Sequence, residues 1–155
     1  MKVLSFILQI TIYLVCCTLF SNCENSDDIE EIFIGKNWKI HGATFNGVAI
    51  NGKVVNELYS SADSYWINFS ATTFEGKLQS GNHIRGIWSA DGKSKSIQIN
   101  IKTDLDINSS TLGQQIYQVL DKATSYSGDS NVLTIYQDRN NFVRLSKHNV
   151  QNGIN

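Results

Sequence analysis

Residues that could act in catalysis or bind a metal are few in this sequence, and their spacing does not suit either task. The three histidines are His41, His83 and His148. They do not form H-E-x-x-H or a comparable pair, the spacing that places two imidazoles around Zn²⁺. The sequence also lacks the G-x-S-x-G elbow of serine hydrolases. We therefore expect a protein that is not an enzyme, with no catalytic residue, no bound metal and no cofactor.

The acidic residues contain one candidate cation loop, at residues 104–108 (DLDIN), which begins like an EF-hand. An EF-hand also needs glycine at its sixth position and glutamate at its twelfth, and here those positions hold Ser109 and Gln115. We interpret the stretch as a polar loop between a strand and a helix. Other carboxylates are scattered over different faces and indicate no glycosidase pair, among them Glu57, Asp63 and Glu75.

The three tryptophans are the remaining candidates for a binding site. Trp38 and Trp88 fall on the inward faces of predicted strands and are predicted to anchor the core. Trp66 is different, because the apolar, inward positions of residues 65–69 are the odd-numbered ones, which leaves Trp66 outside. It either forms an exposed binding surface or packs under the segment 53–63, and we favour the second interpretation.

The clearest structural pattern is the stretch 84–101 (IRGIWSADGKSKSIQINI), which predicts two strands joined at residues 91–94. Every second residue of its second arm is isoleucine. The first arm alternates less cleanly, because Ile87 falls on the face opposite Trp88. A four-residue loop sets Trp88 opposite Ile97, whereas a two-residue turn sets it against a lysine, so we predict the longer loop.

Other segments alternate in the same way and predict further strands, at residues 37–42, 48–50, 65–69, 73–78, 132–137 and 142–146. One segment, 111–123, has a helical period instead, and residues 53–63 fit either a short helix or an excursion over a barrel end. We therefore predict an all-β fold with one helix: a small antiparallel β-barrel of about eight short strands, with the helix before the last hairpin.

The first residues of the 155-residue chain have the charged, apolar and small-residue order of a secretory signal peptide. Their end, Phe20-Ser21-Asn22-Cys23, resembles a bacterial lipobox, with Phe and Asn in place of the usual Leu and Gly or Ala. This resemblance implies a signal peptide at 1–22 and lipidation of Cys23. An uncleaved membrane anchor and an ordinary cleaved signal are the alternatives. All three cysteines lie in this segment, so the mature domain should contain no disulfide.

An acidic run follows, with five carboxylates in the eight residues 24–31. We assign residues 23–32 to a solvated tether, and the run also resembles the surface-export signal of Bacteroidetes lipoproteins. Without the leader the chain has 12 basic and 14 acidic residues, a net charge of −2. This balance gives no general attraction to nucleic acid.

The order of landmarks along residues 33–147 resembles META-type domains and the lipocalin-like lipoproteins of Bacteroidetes. These landmarks are Trp38, Ile67-Asn68-Phe69, Phe74-Glu75-Gly76, Gly86-Ile87-Trp88, the helix and Leu133-Thr134-Ile135-Tyr136. The resemblance implies a barrel domain at 33–147, and we expect 148–155 to be a flexible tail. The META pattern often carries Gly-Cys-Asn near its central turn, where this chain has Ser80-Gly81-Asn82.

These observations lead to one expectation about function. We expect a protein held by its lipid at the bacterial outer membrane, with surface exposure favoured, and with a non-catalytic binding or structural role. Its partner would be a protein of the envelope. The alternative is a lipocalin-like carrier that holds a small apolar ligand inside the barrel, although the large inward residues favour a filled interior.

Overall fold

The computed structural model describes residues 27–60, 64–79, 82–102 and 111–148, which form a small antiparallel barrel. In chain order its elements are α1 (Ile29–Phe33), β1 (Asn37–Phe45), β2 (Val48–Ala49), α2 (Gly52–Ser60), β3 (Trp66–Phe69), β4 (Thr73–Gln79), β5 (Asn82–Asp91), β6 (Ser96–Lys102), α3 (Thr111–Asp121), β7 (Ser125–Gly128), β8 (Val132–Asp138) and β9 (Asn141–Lys147). The predicted signal peptide 1–22, the predicted lipidation site Cys23 and the loop 104–108 are outside the described residues, as is the tail after His148.

Barrel closure depends on β1, the long first strand. Neighbouring strands follow the order β2-β1-β3-β4-β5-β6-β7-β8-β9, and β1 also pairs with β9. One edge of β1 pairs with β9 along residues 38–44, while its other edge pairs first with β3 and then with β2. Eight strands therefore close on themselves, and the prediction of a small all-β barrel is confirmed.

The hairpin of β5 and β6 has the predicted four-residue turn, but the turn is displaced by one residue. Asp91 pairs with Ser96, so the turn comprises residues 92–95 and Trp88 pairs with Ile99. The predicted pairing of Trp88 with Ile97 is wrong. The cause is the Asp91 side chain, which accepts the backbone N–H groups of Lys93 and Ser94, both at 2.8 Å. The inward face is unchanged, because a shift of two residues preserves the alternation.

Two segments differ more from the prediction. The segment between the predicted helix and residue 132, to which no strand was assigned, contains the short strand β7, which pairs with β8 over four residues. The ambiguous segment after residue 52 is the helix α2, which contributes the fully buried Leu58. The helix α3 begins at Thr111 as predicted and ends at Asp121.

The N-terminal segment is a larger correction. The sequence places residues 23–32 in a solvated tether, but residues 29–33 form the helix α1, which Asp28 caps by accepting the N–H of Glu31 at 3.0 Å. Ile32 and Phe33 of this helix are buried in the core. The folded domain therefore starts no later than residue 27, not at residue 33.

The two ends of the barrel carry different connections between the strands. Because neighbouring strands are antiparallel, the connections alternate between the ends. We call the end with α1 and the β3–β4, β5–β6 and β7–β8 connections the near rim. The end with the β1–β2, β4–β5 and β8–β9 connections is the far rim. Phe33 fills the near end. The helix α3, which connects β6 to β7, packs on β4, β6, β8 and β9.

The inward side chains form one continuous core. Trp38 is fully buried and Trp88 nearly so, as predicted, and the indole N–H of Trp88 donates to the carbonyl of Ser70 at 2.8 Å. Within the described ranges, no helix is long and apolar enough to cross a membrane.

Candidate binding surface on the outer sheet

Ile87 is one of three large apolar side chains that the described strands expose, with Val48 and Val132. It lies on β5 with 49% of its surface exposed, although it is a large apolar residue in the middle of a strand. Its cross-strand neighbours are Thr73 on β4 and Asn100 on β6, both polar. A single exposed apolar residue is common on protein surfaces, so the interest of Ile87 lies in its position between the grooves described next.

Two surface grooves of about 520 Å³ each meet at Ile87. The first follows β4 and β5 and is lined by Ser70, Thr73, Phe74, Glu75, Arg85, Gly86, Ile87 and Lys102. The second continues across β5 and β6 to the end of α3 and is lined by Thr72, Ile87, Trp88, Ser89, Gln98, Ile99, Asn100, Asp121 and Ala123. Since both grooves contain Ile87, they form one surface on its two sides.

A third groove of about 530 Å³ extends this surface towards the near rim, where it includes residues 34–37 and 68–71. It shares Ser70 and Glu75 with the first groove. The three grooves together cross β1, β3, β4, β5 and β6, and we call this surface the outer band.

The outer band is chemically suited to binding by hydrogen bonds and charge. Eight of its 23 lining residues are serine, threonine, asparagine or glutamine. One row across the strands is charged, with Glu75 opposite Arg85 and Arg85 opposite Lys102. A negative and two positive groups in one row can select a partner with a complementary pattern.

Trp66, the residue proposed from the sequence as an exposed binding surface, lies outside the outer band. It is half-buried on β3 and pairs with Lys39 and Lys77 on the neighbouring strands. Lys39 is itself buried, and its ammonium group donates to the carbonyl of Ser64. Trp66 is therefore only partly exposed, and its role in binding stays a prediction.

The histidines lie far apart in the fold, on β1, on β5 and just after β9. His41 is half-buried, and burial, together with the charge of Arg144, holds its pKa below the usual value of 6.5. The described parts of the chain contain no group of three or more His, Cys, Asp or Glu residues that could hold a metal ion.

The lowered pKa values of three aspartates have a structural cause. Asp91, Asp129 and Asp138 occupy turns, and each accepts hydrogen bonds from groups two and three residues later. These bonds favour the ionised carboxylate, with the Ser94, Asn131 and Asn141 contacts the largest causes. Their perturbed pKa values therefore report turn formation and indicate no acid or base chemistry.

Phe33 is the main core residue that the sequence analysis missed. Its ring contacts Phe69, Trp88 and Tyr126, with ring centroids 5.2, 4.8 and 5.0 Å away. The hydroxyl of Tyr126 is buried near the Asp27 carboxylate without a hydrogen bond of ordinary geometry, and burial followed by this contact raises its pKa. The acidic residues around Phe33 concealed it, because they indicated a solvated tether.

The outer band was also missed, although the sequence contained one signal for it. Ile87 breaks the alternation of its strand, which places an apolar residue outside. The sequence predicted the hairpin of β5 and β6, but not how β1 and α3 lie beside it to complete the band.

Comparison with known proteins gives two matches, and both point to the same domain family. The family model "Domain of unknown function (DUF4847)" matches residues 24–147. The chain is similar to the crystal structure of a DUF4847 family protein from Bacteroides vulgatus ATCC 8482, with 26% identity and a TM-score of 0.60. The similarity covers 78% of this chain and 99% of that one. A search of curated proteins gives no match. The expected kinship with an uncharacterised family found in Bacteroidetes agrees with these matches.

Proposed function

Since the chain belongs to the DUF4847 family, whose function is unknown, we propose that it is a lipid-anchored, non-catalytic binding protein of the outer envelope. The observation that carries the binding role is the outer band, in which half-exposed Ile87 lies where two grooves meet. The META-type relationship, which rests on the landmark residues alone, is part of this proposal.

The proposed anchor is supported by the sequence before the fold. The apolar leader ends at the lipobox-like Phe20-Ser21-Asn22-Cys23, and the family match begins at the next residue. Lipid on Cys23 would hold the barrel at the outer membrane. The acidic run after it supports display at the cell surface, although two of its carboxylates, Asp27 and Asp28, also have partners within the fold.

The proposed partner is a protein of the envelope. The outer band crosses five strands and offers amide, hydroxyl and charged groups around one apolar side chain, so complementary hydrogen bonds and charges on a partner would give the contact its specificity. Its charged groups stand in a row on the surface and do not converge on one buried point, as the groups of an active site do.

The alternative, a lipocalin-like carrier, is compatible with the closed eight-stranded barrel. Such a carrier needs open space between the inward side chains. The described ones instead contact each other, as the ring contacts of Phe69 with Phe33, Phe74 and Trp88 illustrate. Binding of a small apolar molecule among these aromatic rings, inside the barrel, would favour the carrier over binding at the outer band.

A photoreactive amino acid at position 87, introduced in the producing cells, tests the binding role. Val132 provides a matched control, because it is also β-branched, lies on a strand and is 48% exposed, but is not part of the outer band. We expect one discrete crosslinked envelope protein from position 87 and none from position 132.

The neighbouring substitution Asn100→Lys should reduce that crosslink about tenfold, a loss of about 1.4 kcal/mol of binding free energy, without lowering the melting temperature. Equal crosslinking from positions 87 and 132, or a crosslink that Asn100→Lys leaves unchanged, would show that the outer band is not the binding surface.

A further inference from the structure

We infer that the near rim of the barrel faces the membrane, because the chain is fixed to that rim only four residues after Cys23. The inference rests on the proposed lipidation of Cys23 and adds to it the orientation of the domain. The lipid surface would be the partner of the near rim, while the far rim would point away from it.

The first step of the argument is the contact between Asp27 and the β5–β6 turn. The backbone N–H of Asp27 donates to the carbonyl of Gly92 at 3.0 Å, and its carboxylate forms an ion pair with Lys95. The two backbones are so close that a Cβ atom at Gly92 would lie 2.2 Å from the carbonyl oxygen of Asp27. Only glycine allows this approach.

The contact does not stand alone, because the next residues continue into the fold. Asp28 caps α1, and Phe33 at the end of that helix is fully buried among the core aromatic rings. Residue 27 therefore cannot move away from the near rim without uncovering the core. A tether that ended at residue 32 would have allowed the barrel to turn freely, and this one does not.

The second step is the length of chain that remains. Four residues span at most about 14 Å when fully extended, so Cys23 must lie within that distance of the near rim. The ten residues of β5 extend about 33 Å, or about 25 Å along the axis of a barrel with ordinary strand tilt. The far rim is therefore beyond the reach of the lipid.

The third step concerns charge, which does not produce this orientation. The near rim carries Lys36, Lys93 and Lys95, but also a larger number of acidic residues: Asp28, Glu30, Glu31, Asp91 and Asp129. A surface with both signs has no strong attraction to anionic lipid. The orientation should then depend on the short tether and be insensitive to salt.

The experiment uses the full lipidated protein in vesicles of phosphatidylethanolamine and phosphatidylglycerol that carry a nitroxide quencher on the lipid headgroup. A fluorophore is attached through Ala71→Cys in the β3–β4 connection, or through Arg139→Cys in the β8–β9 turn. Both positions are exposed, one at each rim. We expect the label at position 71 to be quenched about threefold more than the label at position 139, given the distances above. The difference should persist between about 50 mM and about 300 mM salt.

Gly92→Ala separates the tether contact from the anchor. The φ angle of Gly92 is not in the left-handed region, so alanine suits the turn itself and only displaces Asp27. We expect this variant to melt cooperatively, to float with the vesicles and to lose only a small part of the difference between the two labels, because Phe33 still holds α1 at the near rim. Gly52→Ala is the matched control, because a Cβ atom there meets nothing within 4 Å.

The outcomes distinguish the inference from the proposed function. If the native protein does not float with vesicles, or floats equally well as Cys23→Ser, the anchor and the orientation are both wrong. If it floats through Cys23 but the two labels are quenched equally, or position 139 more strongly, only the orientation is wrong.

Discussion

At the scale of single residues, the environment of His41 disfavours the charged form of its side chain. Burial and Arg144 lower its pKa in the folded protein below the value of 6.5 that applies to the unfolded chain. As the pH falls through 6.5, the unfolded chain therefore takes up a proton that the folded protein does not yet accept. The free energy of unfolding falls across this window and stops falling below the pKa of the folded state.

This sign gives a pH prediction. Between about pH 7.5 and about pH 5.5 the wild type should lose stability to urea, and His41→Gln should lose less. Aspartates such as Asp91 do not contribute to the difference, because their lowered pKa values lie far below this window. His83→Gln, on an exposed residue of β5, is the control. The same loss in His41→Gln and the wild type would mean that His41 does not carry the effect.

Single residues also show what the sequence could predict. The parity of a strand predicted the burial of Trp38 and Trp88 and the outward direction of Ile87, because alternation is a local property of the backbone. It did not predict the burial of Phe33, whose neighbours are acidic. A residue that packs into a distant part of the barrel leaves no periodic signal in its own segment.

At the scale of elements, the short helix α1 contributes to the stability of the whole barrel. A five-residue helix has little stability of its own, so its packing must hold it in place. Phe33 supplies that packing through its contacts with Phe69, Trp88 and Tyr126. The helix in turn closes the near end of the barrel.

Phe33→Ala should therefore reduce the free energy of unfolding by about 3–5 kcal/mol, as for other buried phenylalanines. Phe142→Ala is the matched control, because Phe142 is only half-buried and contacts Tyr136 and Arg144 near the surface. We expect it to cost about 1 kcal/mol, close to the ordinary effect of a substitution. Chemical unfolding measures both variants. Similar small losses would mean that residues 27–33 are a linker after all.

Strands and helices were predicted well where the spacing of apolar residues decides the structure. They were predicted less well where a single side chain, such as Asp91, shifts the end of a strand. The strands over residues 66–69 and 73–79 and the helix from Thr111 agree with the predicted segments. The β5–β6 turn is displaced because the Asp91 carboxylate binds two N–H groups of the turn, which makes Asp91 the last paired residue. The four-residue strand β7 contains three small or polar residues, so it resembled a turn.

At the scale of the whole molecule, closure of the barrel was predicted as a class but not as a set of pairings. The contact of β1 with β9 joins residues about a hundred positions apart, and nothing in either strand specifies the other. The same holds for the outer band, which exists only after five strands lie side by side.

The closed barrel also has a weak seam between β6 and β7. These strands share only the pair Ser96 and Ser125, whereas β5 and β6 pair over seven residues. Two backbone hydrogen bonds flank that pair, from Ile97 to Thr124 at 3.2 Å and from Tyr126 to Lys95 at 3.0 Å. The chain leaves α3 and enters β7 beside this seam, so fewer bonds hold the barrel closed here than at the other described junctions.

Local opening should therefore begin at the seam. In native-state hydrogen exchange we expect the amides of Ile97 and Tyr126 to exchange about ten times faster than that of Val143, which lies in the long β9 strand. Tenfold corresponds to a difference in opening free energy of about 1.4 kcal/mol. Because the Asp27 ion pair with Lys95 fixes the near rim next to the seam, Gly92→Ala should widen this difference. Equal protection of the three amides would mean that the barrel opens only as a whole.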